Sequence, residues 1–268
     1  MKFYPSFFYI IKKIYFKDNM LIKCPDSFTG NNNKWKVFLA GPIQGAPKWQ
    51  FELPEIENVV WISPRRDDGA VLNDETHKQQ MEWETQALRT ANIILFWIPE
   101  EVEHVEGRGY AQTTRFELGE NLARGKRIIL GAYDNFPGRL YLEYKANKYN
   151  NIIGRKVCHT LEECVEVLKT YIAMVEESHW VWHTSNLNFD LPFKEATEEE
   201  KLKYPQNWWD PFYITEHEDW KKIEHWNSRV APCDTIYHVG RFGDRWALDY
   251  LSGNIKIIDS IPLNEHSL

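Results

Sequence analysis

The sequence predicts a doubly wound α/β domain on a parallel sheet, followed by a small α+β module rich in tryptophan. Three observations predict it. Short runs that are apolar almost throughout, residues 36–40 (KVFLA), 59–63 (VVWIS) and 93–98 (IILFWI), read as strands buried on both faces. These runs alternate with helical patterns, which places helices on both sides of a parallel sheet. The texture then changes near residue 176, beyond which seven of the 12 tryptophans fall: Trp180, Trp182, Trp208, Trp209, Trp220, Trp226 and Trp246.

In chain order, residues 1–33 read as a leader or docking segment. Met1 to Phe16 is apolar and aromatic, but Lys12 and Lys13 interrupt it and it is too short to span a bilayer. Three readings stand: a segment that covers part of the domain, a membrane-surface anchor, or a translated leader ahead of a second start at Met20. Residues 25–34 (PDSFTGNNNK) form a polar loop. The first strand ends at Gly41-Pro42 and the second at Pro64-Arg65-Arg66-Asp67-Asp68. Residues 76–91 carry a helical pattern, and the third strand closes at Pro99. A second helix covers residues 113–124 and stops at Gly125; a fourth strand follows at 127–130 and a third helix at 161–175. Residues 34–175 are thus predicted to be one domain. Residues 176–268 are predicted to form the second unit, with a helix at 195–203 and short strands at 234–239, 246–251 and 255–258. Its tryptophans read first as core for a small module and second as a stacking platform for sugars or bases.

Composition narrows the function. Hydrophobic residues make up 43% and charged residues 26%, a globular balance, and the net charge is -7. A binder of nucleic-acid polymer carries a basic surplus, so a small substrate fits better. The four cysteines are scattered without a CxxC pair, which fits free thiols in a reducing, cytoplasmic setting and argues against a zinc site. No stretch after the N-terminus is apolar enough to cross a membrane. The chain has no GxxxxGK[ST], GxGxxG or HExxH pattern and no nucleophile elbow.

In sheets of this class the ligand lies beyond the carboxyl ends of the strands. Glu117, in Thr114-Arg115-Phe116-Glu117-Leu118-Gly119, opens the helix after the third strand. A helix N-terminus there favours an ionised carboxylate, and a plain dipole-complementing Glu is the competing reading. Glu84 shares a helical face with Leu88 and Ala91, whereas Glu82 points elsewhere. Glu84 is either a cleft carboxylate or the partner of Arg65, Arg66 or Arg115. The Arg65-Arg66-Asp67-Asp68 stretch reads equally as a solvated loop or as a source of hydrogen bonds to sugar hydroxyls.

Four pieces in order closely resemble the nucleoside 2-deoxyribosyltransferase-like proteins. They are Val37-Phe38-Leu39-Ala40-Gly41-Pro42-Ile43, then Ser63 through Asp68, then Gln80-Met81-Glu82-Trp83-Glu84 with Ala87-Leu88 and Ala91-Asn92, then Thr114 through Gly119. The resemblance covers about residues 34–150. It implies a flavodoxin-like fold and a retaining transfer of deoxyribose between bases, with no cofactor and no metal. It implies Glu117 as nucleophile and Glu84 as its acidic partner, where founding enzymes carry Asp. Phe38 matches an aromatic residue near the sugar. Gly41, Pro42, Arg65, Asp67, Asp68 and Thr114 complete the expected substrate-binding set. Two departures stand out: relatives have Ala-Asp where this chain has Ala91-Asn92, and the active-site Asp of the long loop has only Glu106 as a candidate. Self-association into a homo-oligomer is also expected.

The expected partners are therefore a small nucleoside or nucleotide and a free base. If water replaces the second base, the enzyme is an N-glycosidase, with NAD-like nucleotides among its candidate substrates. The non-enzymatic alternative is a nucleotide-binding or interaction protein that works through its Trp-rich unit.

Overall fold

A computed structural model of the protein describes residues 21–69, 73–185, 187, 189 and 218–258. The segment Met1 to Phe16, the helix expected at 195–203, Trp208 and Trp209 lie outside the described residues.

The main sheet has six strands, all parallel: β1 (Leu21–Lys23), β2 (Trp35–Ala40), β3 (Val59–Ser63), β4 (Ile93–Ile98), β5 (Ile128–Ala132) and β6 (Ile152–Cys158). Their spatial order is β1-β3-β2-β4-β5-β6. Without the added edge strand β1, this is the flavodoxin-like order, in which the chain reverses direction across the sheet between β2 and β4. The crevice expected at that reversal lies beyond Ala40 and Ile98.

Among the described residues, four helices cover the sheet: α1 (Asp74–Thr90), α2 (Gln112–Ala123), α3 (Arg139–Ala146) and α4 (Leu161–Glu177). The period-two alternation of each strand divides the core into two layers. Phe38, Ile62, Ile94, Phe96 and Leu130 pack under α1 and α2 through Trp83, Ala87 and Leu118. Val37, Leu39, Trp61, Ile93, Leu95 and Ile129 face the opposite way, toward Cys164, Leu168 and Ile172 of α4. Strands buried on both faces need apolar side chains at every position, which is why these runs show no polar alternation. α1 starts with a capping box, in which Asn73 accepts from the Thr76 amide at 2.9 Å and Thr76 Oγ1 accepts from the Asn73 amide at 2.9 Å.

The C-terminal unit has a three-stranded parallel sheet of β7 (Val181–Ser185), β8 (Thr235–Val239) and β9 (Asn254–Ile258), with α5 (Glu218–Asn227) packed on it. Trp220, Trp226, Ile223, Ile236 and Leu251 form its core, and Trp182 and Trp246 pack against that core. The described tryptophans therefore mainly supply core. This weakens the case for a sticky surface or stacking platform, although Trp180 remains exposed. The strand expected at 246–251 is instead largely a 3-10 helix, Arg245–Asp249, because the Asp244 carboxylate caps the Trp246 amide at 3.1 Å.

This unit sits on the amino edge of the main sheet. Asn227 Nδ2 donates to the Thr90 carbonyl at 3.0 Å, and Arg127 donates to the carbonyls of Asn227 and Arg229 at 3.2 and 3.0 Å. Asn92 accepts from the Lys36 amide at 2.9 Å and donates to Ser252 Oγ at 2.8 Å. As an amide, Asn92 accepts on one side and donates on the other, and so ties the starts of β2 and β4 to the C-terminal unit. The carboxyl edge, where ligands bind in such sheets, lies at the other end.

Candidate active site

Two loops close over the carboxyl ends of β2 and β4. Gly41 makes the approach feasible: a Cβ there would lie 2.2 Å from the Trp97 carbonyl oxygen and 2.9 Å from the Trp49 ring. Gly41→Ala is expected to cost about 1–3 kcal/mol, because backbone must move. Urea unfolding checks this, and an unchanged midpoint would contradict the packing. Further along, the Gly45 carbonyl accepts from the amides of Val102 and Glu103 at 2.8 and 3.3 Å. Arg108 donates to Gln44 Oε1 at 2.6 Å, and Tyr110 Oη donates to the Pro99 carbonyl at 2.7 Å. Between the loops is a cavity of about 30 Å³ lined by Pro42, Ile43, Gln44, Arg108, Tyr110 and Thr113, among others. That is room for ordered water, and neither Glu84 nor Glu117 is among the residues that line it.

The Arg-Arg-Asp-Asp stretch divides its work. Arg65 serves the loop after β2, donating to Gln50 Oε1 at 3.0 Å and to the carbonyls of Ile43 and Pro47 at 3.0 and 3.3 Å. Arg66 forks onto Asp68 at 3.2 and 2.5 Å and reaches Gln79 at 3.1 Å. Asp67 pairs with Lys23 of β1. Asp67 and Asp68 are exposed, and these contacts hold them within the protein. Glu106 is exposed and does not line the small cavity. Thr114 and Phe38 are each 2% exposed, so both are packed into the core rather than presented to solvent.

Glu84, in mid-α1, and Glu117, on α2, are half-buried. Glu84 pairs with none of the three arginines weighed as partners. Its Oε1 accepts instead from Gln80 Nε2 at 2.7 Å. Arg115 lies over the Phe136 ring, 5.0 Å from its centroid. Burial pushes the Glu84 carboxyl up to about 7, against the opposing effect of the Gln80 hydrogen bond. Burial also pushes Glu117 up to about 8, helped by repulsion from Glu84 and then Glu120. The expected ionising effect of the helix N-terminus is overturned. α2 begins at Gln112, so Glu117 lies in the second turn, past the reach of the terminal dipole.

These shifts carry a stability cost. An unfolded Glu titrates near 4.5, so the native state binds more protons than the unfolded chain between that value and about 7 to 8. The associated stability is present below pH 4.5 and lost as pH rises through the folded values. Glu117→Gln is therefore expected to raise Tm more at pH 8 than at pH 5. Equal changes at both pH values would contradict the raised carboxyl.

Sequence reasoning missed two groups here. Gln80 stands four residues before Glu84, a spacing that brings helical side chains together. Cys24 is buried just after β1, with Sγ 3.8 Å from Arg66 Nη1 and within the electrostatic reach of Glu84. Burial pushes its thiol up to about 11, so it is a poor nucleophile. Among the described residues, no group of three His, Cys, Asp or Glu is placed to hold a metal ion. No described helix is long and apolar enough to cross a membrane.

Residues 34–135 match the model of a known family, described as nucleoside 2-deoxyribosyltransferase like. They form a nucleoside 2-deoxyribosyltransferase-like domain. The match runs from just before β2 to just past β5 and takes in both Glu84 and Glu117. Strand β1 and the C-terminal unit lie outside the matched span of this domain. No curated protein matches the chain.

Proposed function

We propose that this domain breaks and remakes the N-glycosidic bond of a (deoxy)nucleoside through a glycosyl ester on Glu117. The observation that carries the reading is the pair of neighbouring carboxyls, both raised into the neutral range. Two such groups share one proton near neutrality, so one is a carboxylate and the other an acid. A retaining glycosyl transfer needs that combination.

In the first step a Glu117 oxygen bonds to C1′ of the sugar as the C1′–N bond breaks. The Glu84 proton goes to the departing base. In the second step a new base attacks C1′, the ester bond breaks, and the proton lost by that base returns to Glu84. Water in place of the base releases free sugar. Positive charge developing at C1′ favours the ionised form of Glu117 and moves the proton toward Glu84, where the departing base needs it. Asp67 and Asp68, exposed after β3, are the candidates for contacts to sugar hydroxyls.

The test is an assay with a 2′-deoxynucleoside and a different acceptor base, beside a run in water alone. Base exchange supports transfer, free sugar without exchange supports hydrolysis, and neither product refutes both. Glu84→Gln is expected to lower turnover by about 10²- to 10⁴-fold. Glu82→Gln is the control, since Glu82 pairs with Lys78 at 3.9 Å along the helix. Equal losses in the two variants would refute the role of Glu84.

A further inference from the structure

We propose that Gln80 is a positioning residue that fixes the Glu84 carboxyl and decides which of its oxygens carries the proton. The inference rests on the reading of Glu84 as the acid. The geometry is specific. Gln80 Nε2 has two protons; one bond goes to Glu84 Oε1 at 2.7 Å and the other to the Pro64 carbonyl at 3.3 Å. The Pro64 carbonyl belongs to the first residue after β3, so the amide is braced against the end of the sheet rather than free on the helix surface. An oxygen that accepts a hydrogen bond acts as the carbonyl oxygen of a neutral acid, which leaves the proton on Oε2. Gln80 and Glu84, one helical turn apart, are both half-buried, so the pair is shielded from competing water.

The bond also changes strength during the reaction. While Glu84 is neutral, Gln80 donates to a carbonyl oxygen. As the proton passes to the base, Glu84 gains negative charge and the same contact becomes a charge-assisted hydrogen bond. An interaction that tightens only as charge develops lowers the barrier rather than only strengthening binding. The other ionisable groups around Glu84 are Glu117 from α2 and Cys24 after β1, and Arg66 and Asp68 after β3 lie in turn beside Cys24. Arg66 is already forked onto Asp68. Gln80 is the group that touches the Glu84 carboxyl directly.

Two variants separate this role from simple packing. Gln80→Leu keeps most of the volume and removes the donor. Gln80→Lys keeps a donor and adds a positive charge at the same helical spacing. The first readout is the Glu84 carboxyl midpoint, followed by carbon NMR in the full-length chain and assigned through Glu84→Gln. In Gln80→Leu the midpoint is expected to rise by about one pH unit, the worth of one hydrogen bond to a charged group. In Gln80→Lys it is expected to fall below wild type. The second readout is kinetic. Gln80→Leu is expected to lower kcat by about 10- to 100-fold with little change in KM, and to move the alkaline limb of the pH profile upward. Circular dichroism and thermal unfolding verify that each variant folds. If both variants leave the midpoint at its wild-type value, the inference is overturned. If the midpoints move in opposite directions but wild-type protein releases no base, the positioning of Glu84 survives and the glycosyl-transfer reading fails.

Discussion

Glu117→Gln is expected to lower base exchange and base release by several powers of ten while the fold persists. The amide keeps the size of the carboxyl and its hydrogen-bonding capacity, but it cannot form a stable glycosyl ester. The loss should fall on kcat, because the ester bond forms only along the reaction path. The same change removes a half-buried carboxyl whose ionisation opposes folding at neutral pH. The variant should therefore combine near-complete inactivation with a higher Tm at pH 8. An inactive variant with a lower Tm would point instead to a structural role for Glu117. The substrate assay and thermal melts at two pH values check both parts.

Glu224→Gln is expected to produce the largest loss of stability, about 3–5 kcal/mol, with the chemistry of the folded fraction unchanged. Glu224 lies at the contact between α5 and the amino edge of the main sheet. Its Oε2 accepts from Arg89 at 3.4 Å and from Arg124 at 3.2 Å, and its Oε1 lies 3.8 Å from Lys126 Nζ. Arg89 is 3% exposed and Lys126 1%. Removing the carboxylate takes the Glu224 charge away from buried Arg89 and Lys126 together, which is costlier than the loss of any one contact. Burial already pushes Lys126 down to about 8 from 10.5. Between those values the unfolded chain binds more protons than the folded one, so this lysine's contribution makes the protein more stable as pH rises through that window. Urea unfolding measures the effect. A change below about 1 kcal/mol would show that this cluster is solvated rather than buried.

The legible parts of the fold were those that local pattern determines. Val59–Ser63 and Ile93–Ile98 stand out as strands because a sheet covered on both faces leaves no polar alternation. β1 was not legible, since three residues, Leu21–Lys23, carry no period; pairing with Trp61 to Ser63 makes them a strand. β6 reads poorly because Arg155 and Lys156 interrupt it where it bulges at the sheet edge. The Trp246 stretch was misread because its alternation is that of a short strand, and one aspartate cap turns it into a 3-10 turn.

The site was partly legible for a different reason. Glu84 and Glu117 are recognisable through their motifs, but the raising of their carboxyls is a tertiary property. It depends on how deeply α1 and α2 bury them and on their mutual repulsion, which no sequence spacing encodes. Arg65 reads in sequence equally as a solvated loop charge or a ligand-binding one, yet its guanidinium is occupied by the carbonyls of Ile43 and Pro47 and by Gln50. The partners of a charged loop residue come from a distant loop, so sequence order cannot show whether the charge is free for substrate.

The most direct test of the proposed chemistry is to look for the glycosyl enzyme itself. The protein is incubated with a 2′-deoxynucleoside without acceptor base, quenched in acid, digested and mapped by mass spectrometry. The account predicts one deoxyribosyl adduct, on the peptide that carries Glu117, lost in Glu117→Gln and discharged when acceptor base is added before the quench. An adduct on another residue, or base release by Glu117→Gln at the wild-type rate, would contradict it.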